Sequence, residues 1–180
     1  MTASPPPVAP ARFRALMARW PTGVSVVTAH HAGSDAGLTV NSLVSVSLTP
    51  PTVLVSLTTD ADTLPVAEAS GHFGVSFLAA DQRVLSERFA RTIPRAEKFA
   101  GVPVHRGPSG SPLLDGHIGA LECRLVDRSL VRDHVLLTGE VVHTEPGRDA
   151  APLVFFRSGY ASAEGPEVLR LPPPRGSAPL

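Results

Sequence analysis

The sequence predicts a mainly β fold, an antiparallel barrel flanked by a few short helices. Segments that are rich in valine, or that alternate apolar and polar residues, recur at short intervals along the chain. Only short helical patterns separate these segments, which favours an antiparallel barrel. With 180 residues, 43% of them hydrophobic and 18% charged, the chain is long and apolar enough for the core of one globular domain.

The first half of the chain begins as a helix and continues as strands. Four apolar residues recur at helical spacing before Pro21, which predicts a helix over 11–20 that covers one end of the barrel. Residues 23–30 are rich in valine and predict a strand, followed by a turn over 31–37 and an alternating strand over 38–48. The remaining elements of this half are a strand over 53–58, a helix over 63–70 capped by Asp62 or Thr63, and a strand over 72–78.

The second half adds two short helices and three strands. Asp81 is the predicted cap of a helix over 82–90, and residues 95–100 predict one further helical turn. The pair Asp115-Gly116 predicts a hairpin. Strands are then expected over 117–127, 134–143 and 153–156. Proline-rich ends at 1–10 and 161–180 are expected to be extended tails, which leaves residues 11–160 as the folded domain.

Composition excludes several classes of protein. The formal net charge is zero and no cluster of Lys or Arg stands out, so a nucleic-acid partner is not expected. No apolar run is long enough to suggest a membrane span, and the start of the chain lacks the pattern of a secretory signal. The single cysteine, Cys123, excludes an internal disulfide. A cytoplasmic location is the expectation.

Familiar catalytic and metal-binding motifs are missing as well. The sequence has no GxGxxG after a strand, no P-loop and no GxSxG nucleophile motif. Asp133 and His134 are adjacent, and neighbouring strand residues point to opposite faces, which is poor geometry for a catalytic dyad. The seven histidines are scattered without the spacing of a metal motif, so no metal site is expected.

A series of short motifs resembles the flavin reductase-like family, whose fold is the FMN-binding split barrel. In order, they are PTGVSVVT at 21–28, GLTVNS at 37–42, SVSLTPP at 45–51, VLVSL at 53–57, GVSFL at 74–78, LSERFA at 85–90, KF at 98–99, LEC at 121–123, DH at 133–134, GEV at 139–141 and RSGY at 157–160. Each motif alone is weak, but their order and spacing span residues 13–160. The resemblance implies an antiparallel Greek-key split β-barrel that forms a homodimer.

The resemblance also implies a set of flavin-binding residues. The segment after residue 38 would line the flavin ring, and the turn into the helix at 63 would contact the flavin tail and phosphate. A helix N-terminus suits a phosphate because it presents free N–H groups and a partial positive charge. The implied cofactor-binding residues are Thr22, Thr39, Val40, Asn41, Ser42, Ser47, Ser56, Leu57, Thr58, Thr63, Arg91, Lys98 and Tyr160.

Residue patterns alone leave other interpretations open at each position. The polar residues after 38 also fit a strand with one solvated face, and Thr63 also fits a plain helix cap. Arg91 and Lys98 also fit solvated surface charges, and Tyr160 could seal the end of the barrel. The resemblance places His134 beside the ring as the catalytic residue, associated with nicotinamide binding. A strand-edge histidine bonded to a backbone carbonyl is the alternative.

The function implied by the resemblance is reduction of FMN or FAD by hydride from NADH or NADPH. Positioning two stacked rings would supply most of the catalysis, so no protein acid or base is strictly required. The reduced flavin would pass to a partner monooxygenase. The fold does not decide function, so two alternatives remain: a flavin-bound oxidase or monooxygenase-like tailoring enzyme acting on an organic substrate, and a non-catalytic flavin-binding module.

Overall fold

The computed structural model describes residues 5–163, and antiparallel strands are the commonest secondary structure in them. The strands are β1 (Thr22–Gly23), β2 (Ser25–His31), β3 (Ser34–Val40), β4 (Val44–Leu48), β5 (Pro51–Thr58), β6 (His72–Phe77), β7 (Val104–Arg106), β8 (Pro112–Leu114), β9 (Gly119–Val131), β10 (His134–Pro146), β11 (Leu153–Phe156) and β12 (Gly159–Ser162). The α-helices are α1 (Pro10–Met17), α2 (Thr63–Ser70), α3 (Arg83–Phe89) and α4 (Arg95–Phe99). None of the described helices is long and apolar enough to span a membrane.

A seven-stranded antiparallel sheet forms the barrel, in the order β3-β2-β6-β9-β10-β5-β4. Strand β3, at one edge of this sheet, also contacts β5 near the other edge, so the sheet curls back on itself. Two smaller sheets, β1-β11-β12 and β7-β8, lie beside it. The prediction of a mainly β, antiparallel barrel is confirmed.

Two apolar clusters fill the structure. The larger one contains Val55, Phe73 and Leu137 from the barrel strands, together with Leu64 and Ala67 from α2. Helix α2 packs against β2, so its buried face covers the barrel. The smaller cluster joins the strands to α3 and α4 and includes Val26, Phe89 and Leu114. The interior of the barrel is therefore a packed core.

Several predicted elements differ from the structure in physically informative ways. The strand predicted over 38–48 is interrupted, since residues 41–43 leave the sheet between β3 and β4. The turn predicted over 31–37 is shorter, because Ala32 and Gly33 both adopt positive φ and close a tight hairpin between β2 and β3. Asp115-Gly116 forms a turn but not a hairpin, because β8 pairs with β7 while β9 pairs with β6 and β10.

The predicted helix starts and ends also need correction. Helix α1 buries none of its residues, and Trp20 lies beyond its end with 66% of its surface exposed, so α1 does not cover the barrel within this chain. A 3-10 turn over Ala80–Gln82 precedes α3. The side chain of Gln82, rather than that of Asp81, caps this 3-10 turn by accepting the Ala79 N–H. Residues 161–162 belong to β12, and the rest of the predicted C-terminal tail lies outside the described residues apart from residue 163.

Candidate active site

A cleft in the described chain has a volume of about 620 Å³ and is called the main cleft below. It lies between residues 41–45, which include the break at 41–43 and the start of β4, and the segment that links α1 to β2. Its lining residues are Trp20, Pro21, Thr22, Gly23, Val24, Ser25, Asn41, Ser42, Leu43, Val44, Ser45, Phe77, Leu78, Ile118, Pro152 and Leu153. Most of these are apolar, with a few hydroxyls and one amide, which is the usual composition of a cofactor site.

Two neighbouring depressions share residues with the main cleft. A side cleft of about 550 Å³ shares Trp20, Thr22, Asn41 and Ser42 with it and extends toward α1. A smaller cavity of about 200 Å³ lies near Thr39, Val40, Asn41 and Tyr160. Asn41 borders all three spaces, so the predicted residues Thr22, Thr39, Val40, Asn41, Ser42 and Tyr160 converge on one region.

Thr22 lines the main and side clefts and carries an unsatisfied polar group. Its Oγ1 is buried and has no hydrogen-bond partner within residues 5–163. Strand β1 holds the residue in place because Thr22 pairs with Phe155 of β11. A buried hydroxyl without a partner costs free energy, so its presence in a cleft wall suggests a ligand that accepts or donates a hydrogen bond there.

Ser42 and Ser56 fix the loop between β3 and β4. The Ser42 hydroxyl donates to the Ser56 carbonyl oxygen over 2.9 Å and accepts the Ser56 N–H over 3.1 Å. These two hydrogen bonds tie the loop to β5, and they leave the neighbouring Asn41 exposed at the cleft. Ser42 therefore acts on the shape of the cleft by positioning the backbone.

A second group of predicted residues meets at the end of β5. Thr58 pairs with His134 at the start of β10, and the backbone N–H of Thr59 donates to the Asp133 carbonyl oxygen over 3.0 Å. His134 Nδ1 lies 2.9 Å from Asp133 Oδ1. Hydrogen bonding to His134 lowers the pKa of the Asp133 carboxyl. The structure thus places the predicted nicotinamide residue beside the predicted phosphate turn.

The geometric objection to an Asp133–His134 contact was wrong. Asp133 lies in the tight turn between β9 and β10 rather than in a strand, and its neighbour Arg132 adopts positive φ. The alternation of side chains along a strand therefore does not apply to this pair. With its Nδ1 on a carboxylate, the half-exposed ring keeps Nε2 free to face a ligand.

Thr63 begins α2 as predicted, but the interpretation of simple helix capping was wrong. Neither Asp62 nor another side chain caps this helix by a hydrogen bond within the described chain. The Thr63 side chain is fully buried, and its Oγ1 has no partner among residues 5–163. Thr63 does not border the three spaces described above, so it forms part of a second region.

The two predicted basic residues have different surroundings. Lys98 is 4% exposed, and its Nζ donates to the carbonyl oxygens of Gly37 and Phe89 over 3.2 and 3.4 Å. Burial lowers the pKa of this amine, against the opposing charge of Asp62. Lys98 therefore ties α3 to β3, whereas Arg91 is exposed just beyond α3. Arg91 is therefore a surface charge, whereas Lys98 is not.

The remaining predicted residues have structural contacts. The Thr39 hydroxyl donates to the Ser86 carbonyl oxygen over 2.8 Å, and the Tyr160 hydroxyl lies 2.9 Å from Ser86 Oγ. Both contacts anchor the wall of the smallest cavity to α3. Ser47 accepts the Thr49 N–H over 3.1 Å within a local turn, outside the clefts. Leu57 is 1% exposed and belongs to the barrel core.

Reasoning from sequence missed several residues of the main cleft. Trp20, Phe77, Leu78, Ile118 and Leu153 all line it. Trp20 stands directly before the PTGV motif, and that position is the one signal that could have drawn attention to it. The other four come from distant segments and read as ordinary strand residues, so only the pairing of strands reveals them.

The chain is similar to known proteins in both sequence and structure. Residues 17–164 match the family model described as flavin reductase like domain. The chain is 40% identical over 151 residues to the actinorhodin polyketide dimerase of Streptomyces coelicolor, covering 83% of this chain and 84% of that protein. It is 36% identical over 154 residues to the FMN reductase (NADH) RutF of Stutzerimonas stutzeri, covering 86% and 88%. The structure of the NADH:FAD oxidoreductase SgcE6 of Streptomyces globisporus, in complex with NAD and FAD fragments, matches with a TM-score of 0.80 and 31% identity over 87% and 93% of the two chains.

Proposed function

Because the chain belongs to the family of flavin reductase-like domains, we propose that it is an enzyme that reduces FMN or FAD with a reduced nicotinamide. NADH is the donor named for two of the matched proteins, and we assign it here. The reduced flavin serves a partner monooxygenase, in keeping with relatives that are reductase components of such systems. A cytoplasmic location is part of this proposal.

The observation that carries the proposal is the fit of the main cleft to a flavin. Its volume of about 620 Å³ lies within the range of about 300–1,000 Å³ that is typical of cofactor sites. Residues such as Leu43, Phe77 and Leu78 offer apolar contact surface, and Asn41 offers an amide. The unpartnered Oγ1 of Thr22 supplies a polar group that gains a hydrogen bond when a ligand enters.

The chain contributes orientation and exclusion of water in this mechanism. A bound flavin supplies the chemistry, since its ring accepts a hydride directly. Thr22 holds one polar edge of the ligand, while Ser42 keeps the loop at 41–43 in place through Ser56. Leu153 and Val24 exclude water from the floor of the cleft, being almost fully buried. Holding two reactants in contact removes most of the entropic cost of their encounter.

The turn between β5 and α2 is proposed to hold the flavin tail and phosphate. Ser56, Leu57, Thr58 and Thr63 follow one another along this segment, and no side chain within the described chain caps the helix start. Uncapped N–H groups and the unpartnered Thr63 hydroxyl are suited to an anion. Exposed Arg91 is proposed as a counter-charge, whereas Lys98 is proposed to act through the packing of α3 and β3.

His134 is proposed to contact the nicotinamide. Its ring is fixed on one side by Asp133 and is only half-buried, so the opposite nitrogen can reach a second nucleotide. The pairing of His134 with Thr58 places it beside the proposed phosphate turn. His134 thus contributes to binding the donor, and it has no required role as a proton donor.

A homodimer is also proposed, because β4 carries an apolar surface at the edge of the sheet. Val44, Val46 and Leu48 alternate along this strand and are 51%, 55% and 82% exposed. Exposed apolar edge strands are rare in monomers because they invite pairing with other chains. Val44 also lines the main cleft, so a second copy on this face would complete the cleft wall.

The test is turnover of free flavin. The purified chain is mixed with NADH and an excess of FMN or FAD, and oxidation of the nicotinamide is followed by absorbance. Many turnovers per chain are expected with NADH and at least one of the two flavins. Absence of turnover with every combination of FMN or FAD and NADH or NADPH would refute the proposal.

A pair of histidine variants tests the role of His134. His134→Ala is expected to raise the KM for NADH about tenfold, the effect of losing about 1.4 kcal/mol of binding, with flavin affinity unchanged. His31→Ala, at the exposed end of β2, is the matched control and is expected to leave both constants unchanged. Equal losses of NADH and flavin binding in His134→Ala would contradict the assigned role.

A tailoring reaction on an organic substrate is the second candidate. It is favoured by the 40% identity to a protein whose name describes dimerisation of a polyketide. Under this alternative the flavin stays bound and an aromatic substrate occupies the side cleft near Trp20 and Phe155. Tight retention of flavin on gel filtration, with little turnover of added flavin, would favour this candidate over the reductase.

A further inference from the structure

Glu145, near the end of β10, lies at the centre of a histidine cluster away from the main cleft. His105 Nε2 lies 2.9 Å from Glu145 Oε1, and His117 Nε2 lies 2.7 Å from the same oxygen. One donor atom from each of these three residues falls within 4.8 Å of the other two. His105 and Glu145 are partly exposed, so an ion from solvent can reach the cluster.

The surroundings of His105 have the arrangement that a metal-binding histidine requires. His105 Nδ1 lies 2.7 Å from Asp115 Oδ1, so a carboxylate orients the ring from the side opposite to Glu145. Metal-binding histidines usually have such a carboxylate partner on their second nitrogen. His117 is 5% exposed, and its Nδ1 has no partner within residues 5–163. Its Nε2, which faces Glu145, is the nitrogen that would bind a metal.

Charge and geometry point to a divalent cation. Three imidazoles surround the Glu145 carboxylate, His143 being the third with its Nε2 at 3.6 Å from Glu145 Oε2, and the Asp115 carboxylate adds a second negative charge on the far side of the His105 ring. Donor atoms around a tetrahedral zinc lie about 3.3 Å apart, given bonds of about 2.0 Å. The present spacings of 2.7 and 2.9 Å need only small side-chain rotations to admit an ion.

We propose that His105, His117 and Glu145 form a binding site for a zinc-like divalent transition-metal ion. Two imidazole nitrogens and one carboxylate oxygen are a donor set that zinc prefers, and they leave one position for water or for His143. The sequence offered no motif for it, because the three ligands come from β7, from the segment before β9 and from β10. Only the fold brings these segments together.

The site joins parts of the chain that shape the main cleft. His117 is followed by Ile118, which lines that cleft. The Ile118 carbonyl oxygen accepts the Gly147 N–H over 3.3 Å, and the His117 carbonyl oxygen accepts the Arg148 N–H over 3.0 Å. A metal bound here would add a third link between the His117–Ile118 segment and the end of β10. Its role is therefore structural support of the cleft wall.

Metal titration of the full chain tests the proposal without reference to turnover. Zinc is titrated against the metal-free chain by calorimetry, and cobalt is used as a coloured substitute that reports four-coordinate nitrogen and oxygen ligation. One zinc per chain with micromolar or tighter affinity is expected. Zinc should also raise the melting temperature, since a ligand that binds the folded state stabilises it.

Variants of the ligands and of one other histidine complete the test. His105→Ala, at a half-exposed position that should tolerate the change, is expected to weaken zinc binding at least about tenfold and to abolish the rise in melting temperature. Asp115→Asn is expected to weaken binding about tenfold through loss of ring orientation. His31→Ala is the control and should bind zinc as the unmodified chain does. No zinc binding by the unmodified chain, or equal affinity in His105→Ala, would overturn the proposal.

Discussion

Replacing Thr22 by valine removes a hydroxyl that has no hydrogen-bond partner in the described chain. Thr22 Oγ1 is buried in the wall shared by the main and side clefts. Valine has nearly the same shape, so the packing of β1 against β11 should persist. The substitution therefore separates the contribution of the hydroxyl to folding from its contribution to ligand binding.

Thr22→Val should raise the folding stability of the ligand-free chain and lower its affinity for flavin. A buried hydroxyl without a partner costs about 1–3 kcal/mol, so Thr22→Val should stabilise the ligand-free chain by about 1 kcal/mol. When flavin is bound, the lost hydrogen bond should cost about 1 kcal/mol, or roughly fivefold in Kd. A variant that is more stable but binds flavin less tightly is the distinguishing result.

Thr28→Val is the matched control for this experiment. The Thr28 side chain is fully buried on the adjacent strand β2, and its hydroxyl donates to the Pro112 carbonyl oxygen. Its removal leaves that oxygen unsatisfied, so stability should fall by about 1–3 kcal/mol while flavin affinity stays unchanged. Urea unfolding gives the stability of each variant, and quenching of flavin fluorescence gives its affinity.

The reasoning about Thr22 is refuted by either of two results. If Thr22→Val destabilises the chain as much as Thr28→Val does, the hydroxyl has a partner in the folded protein. If the flavin Kd is unchanged, the hydroxyl does not face the ligand.

Three further predictions follow from other parts of the structure. Glu122→Ala should lower the free energy of unfolding by about 3 kcal/mol in urea titrations, because the buried carboxylate accepts the N–H groups of Ser109 and Ser111 over 2.9 and 3.0 Å; a loss below about 1 kcal/mol would contradict this. Burial raises the pKa of Cys123 from 9.0 to about 12. Between these pH values only the unfolded thiol ionises, so the free energy of unfolding should fall as pH rises from 9.0 toward 12. Cys123→Ala should remove this contribution to the pH dependence of stability. Leu48→Asp should convert the proposed dimer to a monomer on gel filtration, whereas Val84→Asp, also at an exposed apolar residue, should not; equal behaviour of both variants would contradict the assigned interface.

The fold could be predicted from the sequence because its signals are local. Alternation over residues 51–58 and the proline and glycine breaks report strand and turn positions directly, and β5 and α2 lie where the pattern predicts them. The break at residues 41–43 was missed, although two consecutive polar residues, Asn41 and Ser42, and two consecutive apolar residues, Leu43 and Val44, interrupt the alternation there. Its cause is the hydrogen bonding of Ser42 to Ser56, fourteen positions away in the sequence.

The candidate site could be predicted only where its residues belong to recognisable motifs. Asn41, Ser42 and Thr22 lie in such motifs and meet at the clefts. Lys98 also lies in a motif, but its amine is held by two carbonyl oxygens, and that contact depends on how α4 packs on β3. Residue type and spacing indicate neither the burial nor the partner of a charged group, so the surroundings of Lys98 could not be predicted from the sequence.

Strand β5 connects the two separate regions that are proposed to form one site. Near its middle, Ser56 binds Ser42 and so fixes the loop that forms the main cleft. At its end, Thr58 pairs with His134, and the chain continues into α2 with the unpartnered Thr63. Consecutive strand residues lie about 3.3 Å apart, so Ser56 and Thr58 are separated by about 7 Å. A nucleotide whose ring lies in the main cleft and whose phosphate reaches the start of α2 would therefore follow β5, with His134 beside its path.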